Sequence, residues 1–357
     1  MYWGAILPPQ NIIPKTKNIS PKIVYLCTSL KSKPIPYIME RREFLKMAAA
    51  AAPALGLFPA DLSLIARTLG NGQMEKRMLG KTGEMISVLT FGGIVVRDAT
   101  PEQAAKSVKQ AIDAGVNYFD NAPSYGDAEV KLGPALEPYR KNVFLSNKTQ
   151  MRTRDEARAE LENSLKVMRT DYFDLYQHHA VYRVEDVETI LGKGGAMETF
   201  LEAKQEGKIK YIGFSAHTVE AATALMEGFD FDTIMFPFNL TSWHAGNFGP
   251  QVLDMALRKN MGIIALKAMA KGRWPQGSDR TRYPKAWYEP LTTDEQILKG
   301  LRFTLSHPIT TAIPPGEEEL FMAALRLIDQ FEPLTREEAE HIRQLASTWD
   351  PLFSYSG

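Results

Sequence analysis

Eight short apolar runs recur along the chain, each followed by a longer stretch: SVLTFGG (87–93), NYFD (117–120), NVFLSNK (142–148), FDLYQHH (173–179), YIGFSA (211–216), TIMFPFN (233–239), GIIALKAM (262–269) and TTAIPP (310–315). Rich in β-branched and aromatic residues and apolar on both faces, they read as strands covered from both sides. The intervening segments carry helical spacing, as in Ala105, Val108 and Ile112 within 102–114 or Leu161, Leu165 and Met168 within 155–169. Alternating strand and helix requires parallel strands joined by crossovers. Eight such units predict a closed (β/α)8 TIM barrel rather than an open doubly wound sheet, and no Gly-x-Gly-x-x-Gly turn follows the first run as a dinucleotide-binding open sheet would need. Ahead of the barrel, KRMLGKTGEMISV predicts a short N-terminal β-hairpin turning at Lys81-Thr82-Gly83.

A barrel of this kind takes roughly 250 residues, which fits 75–357 and leaves 1–74 to be explained separately. With 44% hydrophobic and 24% charged residues the chain buries a large core, which excludes disordered and collagen-like classes. Its net charge of zero hides an asymmetry: nine Lys and Arg stand against three Asp and Glu in 1–74, leaving 33 against 39 in the remainder. An acidic body without a basic stripe argues against nucleic acid as a partner. The single cysteine, Cys27, falls outside the body, which therefore forms no internal disulfide and offers no thiolate to zinc or an iron–sulfur cluster. No metal is expected.

From Met39 the chain reads MERREFLKMAAAAAPALGLFPA, where Arg41-Arg42 and then Phe44-Leu45-Lys46 precede a weakly apolar, alanine-rich run. This resembles a twin-arginine (Tat) export signal, too weakly hydrophobic for a spanning helix. The resemblance implies a signal peptide and linker over 39–74, the twin-arginine translocase as a partner, and a periplasmic or otherwise exported protein, anchored to the membrane if the signal is not cleaved. Residues 1–38, with five lysines, no acid and prolines at 8, 9, 14, 21, 34 and 36, read as a disordered extension or an upstream mis-assigned start.

In a barrel, reacting groups come from the C-terminal ends of strands and the loops after them. Asp120 ends one run, Lys148 the next and His179 the one after, and Tyr125 follows Asp120 by five residues. An acid, a phenol, an ammonium and an imidazole thus converge on one rim. FDNAPSYG, LSNKT, DYFDLYQHH and GKIKYIGFSAH, in this order, resemble the aldo-keto reductase superfamily over Lys76 to Arg326. The resemblance implies Asp120, Tyr125, Lys148 and His179 as a catalytic tetrad reducing an aldehyde or ketone with a nicotinamide cofactor, NADP or NAD, bound non-covalently. A carbonyl that accepts hydride gains negative charge on oxygen, so a positioned acid and further donors are required. Tyr125 supplies the proton, the Lys148 ammonium favours the phenolate, Asp120 holds Lys148, and His179 orients the carbonyl. His178 is expected on the opposite face, packed between barrel and helix; His217 and His244 stay outside the catalytic set.

The resemblance also implies a cofactor stretched across the barrel mouth. Ser215 matches a carboxamide-binding position, whereas Ala216 and Met235 stand where the family has Asn and Gln, and Leu266 followed by Lys267 where it has a stacking aromatic. AIPPGEEEL (312–320) matches the adenosine-phosphate segment, with Pro315 and Gly316 allowing close backbone approach at a helix N-terminus. Glu317, Glu318 and Glu319 there predict weak selectivity for a 2′-phosphate and so a tendency toward NADH. The long loop GRWPQGSDRTRYPKAWYEP (272–290) offers Trp287 and Tyr288 as substrate-binding residues, with Trp243 from the preceding loop.

Two other classes compete. A cofactor-binding regulatory or sensing barrel with slow turnover is favoured by Ala216 and Met235 and opposed by the complete tetrad. Glycoside hydrolysis needs two carboxylates flanking one bond; Asp120 is committed to Lys148, and Asp127 and Glu129 lack a partner. Substrate, direction of reaction and oligomeric state are not encoded in any motif.

Overall fold

The structure, a computed structural model, describes residues 74–357. The 1–38 extension and, Met74 apart, the export leader lie outside the described residues. At the start, β1 (Lys76–Met78) and β2 (Met85–Ser87) pair antiparallel across a 3-10 turn, Gly80–Thr82. Leu79 and Ile86 drop from this ladder into the barrel interior. Gly80, at φ 51°, lies so close to the backbone of Met261 and Gly262 that a Cβ there would come within 2.3 Å of Gly262 N. Any side chain would push the ladder off the N-terminal end of the sheet.

The strands that follow are β3 (Phe91–Gly92), β4 (Tyr118–Asp120), β5 (Phe144–Thr149), β6 (Phe173–Val181), β7 (Ile209–Ala216), β8 (Thr233–Pro237) and β9 (Gly262–Leu266). After a small antiparallel pair, β10 (Ala270–Gly272) with β11 (Glu289–Pro290), comes β12 (Thr311–Ala312). All but β1, β2, β10 and β11 form one parallel eight-stranded sheet in the order β3-β4-β5-β6-β7-β8-β9-β12. Its two ends meet through a parallel bridge, Leu89 to Ala312, in which Thr90 N–H donates to Ala312 O at 3.0 Å and Ala312 N–H to Val88 O at 2.9 Å. At this bridge the two ends of the curled sheet bond to each other instead of standing open.

Side chains alternate along the strands. Tyr118, Leu175, Met235 and Ile264 fill the interior, whereas Phe119, Tyr176, Phe214 and Ile234 face the helices. The helix Pro101–Asp113 illustrates how the outer layer is specified. Thr100 and Gln103 form a capping box, proline opens the first turn, and Ala104, Ser107, Val108 and Ala111 are buried at helical spacing. Full burial of a side chain such as Val108 contributes roughly 1.5–3 kcal/mol.

Beyond the barrel, the helix Arg336–Ala346 leads into a C-terminal tail that returns to the strand ends. Phe353 N–H donates to Ser242 Oγ at 3.3 Å and Tyr355 N–H to Gly246 O at 2.8 Å. A Cβ on Gly246 would lie 2.1 Å from Phe353 O, and one on Gly272 2.2 Å from Asp350 O. Both glycines let the tail lie against the barrel, and Phe353 is carried to its mouth.

Candidate active site

Asp120 ends β4, and its register partner on β5 is Ser146, two residues before Lys148. Ser146 Oγ donates to Asp120 Oδ1 at 2.7 Å. Lys148, fully buried, reaches Asp120 Oδ1 and Oδ2 at 2.6 Å each and Asn121 O at 2.8 Å. Its ammonium therefore has three close acceptor atoms, and Tyr125 Oη stands at 3.4 Å. Tyr125 is partly buried on the loop between β4 and the helix Ala128–Leu136, in a turn where its N–H donates to Ala122 O at 3.0 Å.

His179 owes its position to an irregularity in β6. The register with β7 shifts between His178 and Val181, and Ala180 adopts φ 52°. Arg152 Nη2 donates to His179 O at 2.9 Å and Ala180 O at 3.3 Å, while Ser215 Oγ accepts from Ala180 N–H at 2.8 Å. This clamps a bulge that turns the imidazole toward Tyr125, whose ring lies 5.6 Å away, edge to face at 84°. Ser124 Oγ is 3.3 Å from His179 Nδ1. Its neighbour His178 points the other way and stacks on Phe200 at 4.0 Å, both ring nitrogens without partners.

The electrostatics differ in one respect from the sequence expectation. Burial, reinforced by the charge of Asp120, pushes the Tyr125 phenol well above its ordinary value, so the neutral acid is favoured over the phenolate. The expected Lys148 effect is outweighed because that ammonium is already matched to Asp120. Burial also draws Lys148 down against the pull of Asp120. His179 is held well below the usual histidine range by burial and then by the charges of Lys148, Arg152 and Lys267. The site thus holds a neutral phenol and a neutral imidazole beside an ion pair.

Lys267 follows β9 in the left-handed region, at φ 57°. Its Nζ lies 3.1 Å from His217 Nε2, 5.4 Å from the Trp287 ring centre and 5.7 Å from that of Phe353. Burial lowers it to about 7. Tyr182 stacks on His217 at 4.9 Å. Of the proposed substrate-binding residues, only Trp287, 57% exposed, stands at this rim. Tyr288 is instead buried in a small cluster with Ala270 and Leu352, and Trp243 packs against His307 at 4.5 Å and Phe303 at 6.0 Å. Neither forms the expected wall.

The last-strand segment meets packing demands of its own. Pro315 is buried, and the space a Gly316 side chain would take is filled by Ile94, whose Cγ2 would lie 2.2 Å from a Cβ. Packing against Ile94 is thus one demand for glycine at that position. Glu317 accepts from Lys285 N–H at 2.5 Å and Ala286 N–H at 3.1 Å, Glu318 from Ser107 Oγ, and Glu319 from Arg282 Nη2 at 2.6 Å. All three carboxylates have partners within the protein; Glu317 is buried in its contact, whereas Glu318 and Glu319 stay exposed. Met235 lies wholly inside the barrel among apolar neighbours, and Ser215 keeps a hydroxyl hydrogen after accepting from Ala180. A nicotinamide group fits this end of the mouth through Ser215, the remaining donors of Lys267 Nζ beyond its His217 contact, and the unpartnered His217 Nδ1. Sequence reasoning missed Ser124, Tyr182 and Phe353 and left His217 aside. His217 follows directly on β7, a position that signals proximity, whereas no local pattern marks Phe353.

A family model described as the aldo/keto reductase family matches residues 88–350. The chain is 30% identical over 261 residues to the 6-dehydroglucose reductase of Novosphingobium aromaticivorans, covering 67% of this chain and 83% of the relative. It is 24% identical over 281 residues to the uncharacterized oxidoreductase YqkF of Bacillus subtilis, covering 69% and 88%. Among solved structures, the holo form of aldo-keto reductase AKR11C1 from Bacillus halodurans matches with a TM-score of 0.62 at 22% identity, over 80% of this chain and 99% of that one. An aldo-keto reductase from Klebsiella pneumoniae in complex with NADPH matches with a TM-score of 0.60 at 21% identity, over 79% and 98%.

Proposed function

We propose, since this chain belongs to the aldo/keto reductase family and is an oxidoreductase, that it reduces the carbonyl of a small aldehyde or ketone to an alcohol, with NADP(H) as cofactor and Tyr125 as the proton donor. The observation that carries the reading is the contact set around Lys148, buried on both oxygens of Asp120 with Tyr125 Oη at 3.4 Å. Ser215 and Lys267 would hold the nicotinamide end, and the Pro315-Gly316 turn the phosphate end. The family precedent of an NADPH complex, together with glutamates already occupied by Lys285, Ala286 and Arg282, supports NADP(H) over NADH.

When bound, such a cofactor supplies hydride to the carbonyl carbon. The protein's part is the oxygen. In the tautomer whose Nδ1 accepts from Ser124 Oγ, His179 carries its proton on Nε2 and can donate it in a hydrogen bond to the carbonyl oxygen; a neutral imidazole suits this because it orients without protonating prematurely. As negative charge grows on that oxygen, Tyr125 releases its proton. The phenol, raised by burial and Asp120, keeps the proton until then. Lys148 stabilises the phenolate as it forms, and Asp120 fixes Lys148 in place.

Tyr125→Phe tests this. The expected result is at least a hundredfold loss of turnover with a generic aldehyde, at a cofactor dissociation constant within about threefold of wild type. Retention of more than roughly a tenth of the turnover removes Tyr125 from the acid role. From Arg41-Arg42 and the alanine-rich run after them we further propose export by the twin-arginine translocase to the periplasm or its equivalent. That translocase carries folded proteins, so the cofactor would travel bound.

A further inference from the structure

Lys267 is a cation placed at the mouth of the site with nothing anionic to match it. Among the described residues no carboxylate forms an ion pair with it, and burial draws it to about 7, so that near neutral pH it is partly charged and an arriving anion would favour the ammonium. Its neighbours are the neutral His217 Nε2 at 3.1 Å and the faces of Trp287 and Phe353. An ammonium has three donors, and His217 takes one. The other two have no acceptor among the described residues: the lysine is half-buried, and the faces of Trp287 and Phe353 beside it cannot accept a conventional hydrogen bond. Three separate devices maintain this arrangement. The left-handed backbone at Lys267 is a conformation that costs a non-glycine residue on the order of 1 kcal/mol. Gly246 and Gly272 admit the tail that delivers Phe353. Tyr182, stacked on His217, orients that imidazole. The His217 backbone N–H donates to Val181 O at 3.1 Å, two residues past His179, which ties the Lys267–His217 pair to the strand end that carries the His179 imidazole. A carbonyl held by His179 therefore has this ammonium within its own surroundings.

We propose that Lys267, within its enclosure of His217, Trp287 and Phe353, recognises a carboxylate on the carbonyl substrate, so that the substrate class is carbonyl compounds bearing a carboxylate. The proposal rests on the reductase reading and narrows it. It also moves Lys267 from the cofactor to the substrate. An arriving carboxylate supplies the acceptors the ammonium lacks and neutralises its charge, an exchange worth most once the bound substrate excludes water. A neutral carbonyl compound of the same shape leaves the ammonium unmatched and is discriminated against.

The test is calorimetric titration of the protein saturated with NADP+, using benzoate and, as its neutral counterpart, benzamide, for wild type and Lys267→Met. Expected is benzoate at least tenfold tighter than benzamide in wild type, the ratio falling below about threefold in the variant. A ratio near one in wild type, or one unchanged by the substitution, overturns the proposal. So does a variant whose NADP+ dissociation constant rises more than tenfold with the benzoate preference intact, which returns Lys267 to the cofactor. Turnover of 4-carboxybenzaldehyde and of methyl 4-formylbenzoate separates this inference from the reductase reading. If neither aldehyde is reduced although benzoate is preferred, carbonyl reduction fails and the carboxylate site stands. If both are reduced equally well and benzoate is not preferred, the site fails and reduction stands.

Discussion

Asp120 and Lys148 form a buried ion pair, and its stability cost can be separated from its role in the reaction. In Asp120→Asn the lysine keeps its Asn121 O contact but loses the counter-charge on which both carboxylate oxygens acted at 2.6 Å. Breaking one side of a buried pair costs about 3–5 kcal/mol. A ceiling exists, because the ammonium can shed its proton, which at pH 7 costs about 4.6 kcal/mol for an ordinary lysine and less here, where burial already lowers Lys148. An expected loss of about 3–4 kcal/mol follows, or roughly 6–12 °C in Tm for a domain of this size. In Asp120→Asn/Lys148→Met no charge remains: the Asn oxygen still accepts from Ser146 Oγ, the Asn Nδ2 donors lack an acceptor as they do in the single variant, and Asn121 O goes unpaired in addition, at about 1–2 kcal/mol. The double variant is therefore expected to be more stable than Asp120→Asn by about 2 kcal/mol, a coupling within the usual range for contacting residues, yet as inactive. Urea denaturation followed by circular dichroism, run beside turnover, measures both. An Asp120→Asn variant within about 1 kcal/mol of wild type, or a double variant no more stable than the single, would refute the argument that the pair is electrostatically closed.

Acid should weaken the fold through His178, which burial lowers to about 3 in the folded chain. Between that value and about 6.5 the unfolded chain binds the proton and the folded one does not, so stability is lost as pH falls through this window, at up to about 1.4 kcal/mol per pH unit. His178→Phe, keeping the stack on Phe200, should lose about 2–3 kcal/mol less than wild type between pH 7 and pH 4.5; parallel denaturation curves contradict this. Glu317→Ala removes the acceptor for Lys285 N–H and Ala286 N–H, so tryptic cleavage at Arg280, Arg282 or Lys285 should accelerate several-fold, and an unchanged rate would mean that the loop is held elsewhere. Replacing Arg41 and Arg42 by Lys keeps the charge but removes the motif; cell fractionation is expected to find the protein retained in the cytoplasm, and undiminished export sinks the twin-arginine assignment.

What could be read in the sequence, and what could not, divides by contact range. Asp120 and Lys148 lie at the ends of runs whose apolar character fixes strand direction, so their meeting on one rim follows from the order of parallel strands. The inner register of a helix is less secure: Val108 is buried as its spacing predicts, but Ala104 rather than Ala105 faces the core, because one position is only 100° of helix and alanine carries little preference. At His178 and His179, simple alternation does separate the two faces, but the bulge at Ala180 that aims His179 depends on Arg152 and on Ser215, which come from a neighbouring loop and strand. The loop 272–290 defeats local reading altogether. Nothing near Trp287 or Tyr288 distinguishes the exposed indole over Lys267 from the phenol buried against Leu352, since both fates are set by a tail more than sixty residues later. The same is true of the glutamates after Gly316. Their spacing matches a ligand turn, and only closure of the barrel against the loop 272–290 and the first helix commits them to Lys285, Ser107 and Arg282. Chemistry carried on strand ends is legible in a chain of this kind because the sheet enforces it; specificity carried on loops and the tail is not, because it depends on side chains that meet only after the barrel has closed.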